Sequence, residues 1–203
     1  MKESGGPQTV NENMTTTSIQ LRPGVPEDAA AIHALVTANL DAGHLLPRTF
    51  EDIEAHAPRF VVAVAEDRVI GCGELAPLSA EVAEVRSLVV DEARRGQRTG
   101  VALVTALADR ARELGYVTLC AFTHQPAHFI RLGFSIVPHQ WVPEKIAHDC
   151  VGCSQFRHCG QYAVSLSLRA GSGLRLEVSA PPARAVAAPR ASVERLRLIP
   201  IPA

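Results

Sequence analysis

No run in the 203 residues comes near the ~20 consecutive apolar positions that a membrane-spanning helix needs, so an integral membrane protein is not expected. The opening "MKESGGPQTVNENMTTTS" lacks the apolar core of a secretion signal, and the expected compartment is therefore the cytoplasm. Charge of one sign is lacking too. The formal net charge is −1 and no long basic run occurs, which removes the electrostatic footing for nucleic-acid binding. No internal repeat is visible, which argues against a stacked-repeat architecture. Cysteines number five, an odd count, and two of them (Cys72, Cys120) lie inside apolar, strand-like runs. In a reducing compartment those two read as buried thiols rather than a disulfide.

What is present is ample material for one core, since 47% of the residues are hydrophobic. Residues 1–17 are polar and read as a disordered tail. Residues 18–168 alternate apolar runs with turn signals and read as one domain. Residues 169–203 are rich in Ala, Pro and Arg and read as a linker or disordered extension. Within the domain, "IQLRP" reads as a short strand. "PEDAAAIHALVTANLDAG" reads as a helix, with Pro26 at its start and Ile32, Leu35, Val36 and Leu40 along one stripe. Thr49 with Asp52 forms a capping-box-like start for a second helix. Residues 60–67 and 68–77 are β-rich runs joined by a tight polar turn, hence a hairpin. Residues 81–91 give another strand, and residues 100–114 an amphipathic helix with Val104, Leu107, Ala108, Ala111 and Leu114 on its apolar face. Residues 116–122 read as a buried-type strand, "QPAHFIRLGF" as a short helix closed by Gly133, and residues 162–168 as a last strand. The order β α α β β β α β α β β predicts an α/β fold, a mixed central sheet flanked by helices.

The junction from strand 81–91 through "EARRGQRTG" into helix 100–114 carries the clearest chemistry. A loop that opens a helix presents unpaired backbone N–H groups at a positive helix end, which suits a phosphate or pyrophosphate. Arg94, Arg95 and Arg98 add positive charge, and Gly96 and Gly100 permit close approach of a ligand. The alternative is a basic surface loop that caps the helix.

"VVDEARRGQRTGVALVTAL" resembles the acetyl-CoA-binding segment of the GNAT acetyltransferase superfamily, whose loop runs Arg/Gln-x-x-Gly-x-Gly/Ala. Arg95 and Gly100 match the ends of that pattern, and Arg98 stands where the central glycine is usual. "FIRLGF" (129–134) is similar to the late helix-to-strand segment of the same fold. "LLPRTFEDI", "VIGCGEL", "EVAEVRSLVV" and "FTHQPAHFIRLGF", followed by "VPEKIAHDCVGCSQFRHCGQYAV", together resemble the short amino-acid acetyltransferases of the N-acetylglutamate synthase type. The resemblance covers residues 19–168. It implies transfer of an acetyl group from acetyl-CoA to the α-amine of L-glutamate, the first step of arginine biosynthesis, by a protein of a superfamily in which homodimers are common.

The same resemblance implies roles for particular residues. The backbone of Leu88, Val89 and Val90 would hold the pantetheine arm, with the Val90 N–H toward the thioester oxygen. The amides of Arg95, Gly96, Gln97, Arg98, Thr99 and Gly100 would hold the pyrophosphate. A glutamate acceptor carries two carboxylates, and arginine pairs with carboxylates bidentately. Arg48 and Arg86 are the candidates for that task, set against a solvated loop residue and a strand arginine paired with a neighbouring glutamate. Glu84 alternates with Arg86 and so shares its face. It reads either as the base that takes the amine proton through a water or as the neutralising partner of Arg86. Many superfamily members place a tyrosine acid where this chain has Phe129, so Thr123 and His124 become the candidates for proton donation to the leaving thiolate.

"HDCVGCSQFRHC" places Cys150, Cys153 and Cys159 in a Cys-rich segment, residues 148–160. Three readings stand: ligands to a zinc ion, reduced structural or redox-sensitive thiols, or a disulfide. Acetyl transfer to an amine needs no Lewis acid, so none of the three is required by the chemistry. Two other functions compete with glutamate acetylation. One is acetylation of another amine, such as a different amino acid, a polyamine or a protein N-terminus. The other is a non-catalytic coenzyme A-binding or metal-sensing module.

Overall fold

Alternation along the chain's first long apolar run decides how the sheet is covered. Phe60 and Val62 point to one side and Val61, Ala63 and Ala65 to the other, as period-2 side chains must. Both sets are buried, so layers cover both faces. The computed structural model describes residues 18–40, 45–153 and 156–169. These belong to one compact unit, Met1–Ser172. The two tail readings, 1–17 and 169–203, lie outside the described residues except for Arg169.

The strands are β1 (Gln20–Pro23), β2 (Phe60–Ala65), β3 (Arg68–Pro77), β4 (Val82–Val90), β5 (Thr118–Thr123), β6 (Ser135–Val137) and β7 (Tyr162–Ser167). The helices are α1 (Ala29–Ala38), α2 (Phe50–His56), α3 (Thr99–Glu113), α4 (Pro126–Ile130) and α5 (Pro143–Lys145). They build a seven-stranded sheet in the order β1-β2-β3-β4-β5-β7-β6. Every pairing is antiparallel except β4 with β5, where α3 makes the crossover that parallel neighbours require. The mixed sheet matches the sequence expectation, and so does the order of elements except for α5, which falls between the last two strands where no helix is expected.

Two clusters fill the space on either side. One joins Leu103, Val104, Leu107, Ala108 and Ala111 of α3 to Val61, Ala63, Leu75, Val85 and Leu119 of the sheet. The other joins Ile32 and Val36 of α1 and Ile53 of α2 to Phe60, Val62, Cys72 and Val89. The expected cap of α2 is present: Thr49 Oγ1 accepts from the Asp52 N–H at 3.2 Å. The β2–β3 turn uses Glu66 and Asp67, both at positive φ, as a two-residue hairpin turn demands. Leu114 departs from expectation. It follows the last turn of α3, where Gly115 (φ +82°) swings the chain away, and is 61% exposed.

One irregularity positions the site. On β4, Arg86 pairs with Glu74 and Val89 with Cys72, so Ser87 and Leu88 together oppose Gly73. Ser87 adopts φ +47° to make this bulge, which adds local twist and re-aims the strand beyond it. Gly73 allows it, because a Cβ there would lie 2.8 Å from Leu107 Cδ1 and 3.3 Å from Leu88 Cδ1.

Candidate active site

The bulge falls where the sheet opens. β4 and β5 pair only between Val82–Glu84 and Thr118–Cys120, and beyond that point the two strands diverge. A cleft of about 1210 Å³ fills the gap. Leu88, Val89 and Val90 line one wall and Thr123 and His124 the other, so the cleft brings together two groups that sequence reasoning placed in one site. Thr123 Oγ1 accepts from the Gln125 N–H at 3.0 Å. Phe129, on the floor, is buried and stacks edge-on against Phe134 at 5.2 Å.

His128 lines one part of the cleft, and the first turn of α3, with its unpaired N–H groups, lies beside it at Gly100. The Thr99 hydroxyl is buried there without a hydrogen-bond partner, and so is His128 Nε2 from α4. The two orphans flank Gly100, whose missing Cβ would sit 3.5 Å from His128 Cε1. A helix N-terminus with unpaired amides, a buried unpaired hydroxyl and an imidazole nitrogen fits anionic oxygens, as the phosphates of coenzyme A would supply. Arg95 lines the cleft; its Nη2 donates to Asn39 Oδ1 at 2.6 Å, tying the loop to the end of α1. Gly96, Gln97 and Arg98 are exposed on the loop. Arg98 sits at φ +62°, which explains why a glycine is usual at this point of the motif. Arg94 turns away and pairs with Glu66 at 3.2 Å.

Burial lowers the pKa of His128, Arg131 adds to the shift, and the contact with the Gly100 backbone opposes it weakly. A group with a lower pKa folded than unfolded favours the folded state above its unfolded value and loses that contribution as pH falls. The unliganded protein should therefore lose stability as pH drops below about 6.5, and His128→Gln should lose less. Thermal melts across that range check this.

Another part of the cleft is a charge network. Arg48, just ahead of α2, donates through Nη1 to Glu74 at 2.7 Å and through Nε to Asp52 at 2.5 Å. Arg86 donates through Nε to Glu84 at 2.5 Å and through Nη2 to Asp149. Lys145 Nζ bridges Glu84 Oε1 and Asp149 Oδ2, each at 2.8 Å, and lies 5.4 Å from the Phe122 ring centroid. Burial works against the charge on both arginines, yet the carboxylates beside them outweigh it and raise their pKa values. The sequence thus placed Glu84 and Arg86 correctly on one face. Glu74, Lys145 and Asp149 were missed, since cross-strand register and a distant segment bring them in. One signal existed for Lys145, which is one of only two lysines in the chain.

The Cys-rich segment supplies the remaining wall. α5 continues into a π-turn over Ile146–Cys150, and Cys150, Cys153 and Cys159 all border the cleft. All five cysteines are thiols. Among the described residues no three His, Cys, Asp or Glu side chains converge as a metal-holding group. Burial pushes the Cys72 thiol up to about 12 and Cys120 higher still. Alkylation of the native protein should therefore modify three thiols, at Cys150, Cys153 and Cys159, and spare two. Mass spectrometry before and after unfolding counts them.

Among the described residues, no helix is long and apolar enough to cross a membrane. The model of the acetyltransferase (GNAT) family matches residues 29–134. An uncharacterized N-acetyltransferase of Chlorobaculum tepidum is 31% identical over 141 residues, 70% of this chain and 91% of that protein. The amino-acid acetyltransferase of Pseudomonas aeruginosa is 31% identical over 113 residues, 55% of this chain but only 26% of that protein. Among solved structures, N-acetylglutamate synthase from Neisseria gonorrhoeae, complexed with coenzyme A and N-acetyl-glutamate, superposes with a TM-score of 0.67 at 23% identity. That match covers 75% of this chain and 35% of that one.

Proposed function

The chain belongs to the acetyltransferase (GNAT) family, and on that premise we propose that it acetylates the α-amine of L-glutamate with acetyl-CoA. The observation that carries the acceptor assignment is the pair of inward arginines, Arg48 and Arg86, on one wall of a cleft beside a helix end that suits phosphates. The kinship with proteins named amino-acid acetyltransferase supports the same choice.

Acetyl-CoA supplies the acetyl group as an activated thioester. The α3 N-terminus, with Thr99, Gly100 and His128, takes the pyrophosphate, while Gly96, Gln97 and Arg98 border it from the solvent side. Leu88, Val89 and Val90 hold the pantetheine arm along the open edge of β4, and the Val90 N–H faces the thioester oxygen, where developing negative charge needs a donor. Arg48 and Arg86 orient the acceptor through its carboxylates. As the N–C bond forms and the C–S bond breaks, the amine proton passes to water in the cleft, and Thr123 and His124 stand on the β5 wall as proton donors to the departing thiolate.

Glu84 has both oxygens engaged by cations, which favours the role of counter-ion to Arg86 and Lys145 over that of base. Glu84→Gln should accordingly raise KM for the acceptor and leave the shape of the kcat–pH profile intact. Loss of the acidic limb of that profile would instead make Glu84 the base.

Incubation with acetyl-CoA and glutamate, followed by mass identification of the product, tests the proposal: N-acetylglutamate is expected. A second reading rests on the charge count. Four carboxylates (Asp52, Glu74, Glu84, Asp149) face three cations (Arg48, Arg86, Lys145), an excess that favours a cationic acceptor such as a polyamine.

A further inference from the structure

Each cleft arginine has two carboxylate partners of unlike character. The inner ones, Glu74 and Glu84, have side chains only 2% and 3% exposed; the outer ones, Asp52 and Asp149, are 37% and 28% exposed. The network already carries more carboxylates than cations, so an acceptor that adds further carboxylates meets repulsion unless a resident one leaves. The inner pair is locked in the sheet. Asp52 lies on a regular helix whose first turn favours a negative side chain. Asp149 lies in a π-turn, the kind of helix irregularity that recurs at functional sites and has a less regular backbone to hold it.

Asp149 sits where an acceptor carboxylate would be expected. Its oxygens meet Arg86 Nη2, Lys145 Nζ at 2.8 Å and His148 Nδ1 at 2.8 Å. Burial would raise its pKa, but hydrogen bonds from Lys145 and His148 and the charges of Lys145 and Arg86 hold it below the ordinary carboxylate range. It is an anion bridging two cations at the mouth of a cleft.

We propose that Arg86 and Lys145 form a carboxylate subsite and that Asp149 is its resident occupant, displaced when the carboxylate of an amino-acid acceptor binds. The inference rests on the acceptor reading above. Its consequence reaches the adjacent cysteines. Asp149 is joined directly to Cys150 and begins the segment that carries Cys153 along the cleft wall, so departure of Asp149 from Arg86 frees that segment to move. A closed occupant also lowers apparent acceptor affinity by the fraction of molecules in which the subsite is free.

Asp149→Asn, which keeps the shape and removes the charge, tests this with three readouts. KM for glutamate should fall about tenfold as the occupant's competition is lost. The melting temperature should fall by no more than a few degrees, because the ion pairs lost belong to a side chain 28% exposed and three carboxylates still face three cations. In the wild-type protein, glutarate, a dicarboxylate with no amine to acetylate, should speed alkylation of Cys150 and Cys153 several-fold, and Asp149→Asn should be fast without it. A higher KM, whatever the melting temperature does, would make Asp149 a structural brace and overturn the proposal. So would an alkylation rate that saturating glutarate leaves unchanged in the wild type. The glutarate arm requires no turnover, so it separates failure of the subsite from failure of the acetyltransfer reading, which would show as glutamate left unacetylated.

Discussion

Arg86→Met alone should cost about 3 kcal/mol of folding stability, and adding Glu84→Gln should return most of it. The single change strands two carboxylates on one remaining cation: Glu84, 3% exposed, and Asp149 would share Lys145. Removing one member of a buried pair costs about 3–5 kcal/mol, and the low end applies here because Arg86 is 22% exposed and Lys145 stays. For a domain of this size that is a drop of roughly 6–12 °C in melting temperature. The double variant takes out one charge of each sign, leaves Lys145 with Asp149, and should melt within a few degrees of wild type. Its acceptor KM should stay impaired, because the guanidinium is still missing. If the single variant melts like the wild type, the network is not coupled as its geometry implies. Reversing both arginines would set new negative charge among four carboxylates and report on unfolding rather than recognition, so neutral and charge-retaining variants are the informative ones.

Arg48→Lys should raise KM for glutamate by about 10–100-fold while changing kcat only a few-fold. That is the loss expected when a charge-assisted, forked contact worth about 1.5–3 kcal/mol becomes a single-point one. The lysine retains a positive charge for Glu74, which at 2% exposure has no water to turn to, so stability should change little. Steady-state kinetics with glutamate varied at saturating acetyl-CoA separate the two parameters. A fall in kcat at unchanged KM would move Arg48 from binding to chemistry.

Local chemistry made much of the fold legible beforehand. Thr49 with Asp52 marked a helix start, "ED" between two apolar runs marked the β2–β3 turn, and the 3.6-residue period marked α3. The Glu84–Arg86 face followed from strand alternation alone. What the sequence could not show lies across the chain. Glu74 reaches Arg48 from β3, 26 positions away, and Lys145 and Asp149 reach β4 from a segment about 60 residues downstream. Neither helical nor strand periodicity carries such separations. The bulge at Ser87 and Leu88 is likewise a product of register, visible only once Gly73 is seen opposite them. "HDCVGCSQFRHC" drew attention to its cysteines, yet the residue that enters the charge network is the aspartate between them and His148.

The central claim is that this cleft selects an acceptor by its carboxylates. Its most direct test is the ratio of kcat/KM for glutamate to that for an aliphatic diamine, both measured by thiol release from acetyl-CoA under identical conditions. The account predicts a ratio of at least about 100, the discrimination expected of a site whose buried charged groups need partners. A ratio below one, or release with the diamine alone, would contradict it and identify the four carboxylates, rather than the two arginines, as the groups that choose the substrate.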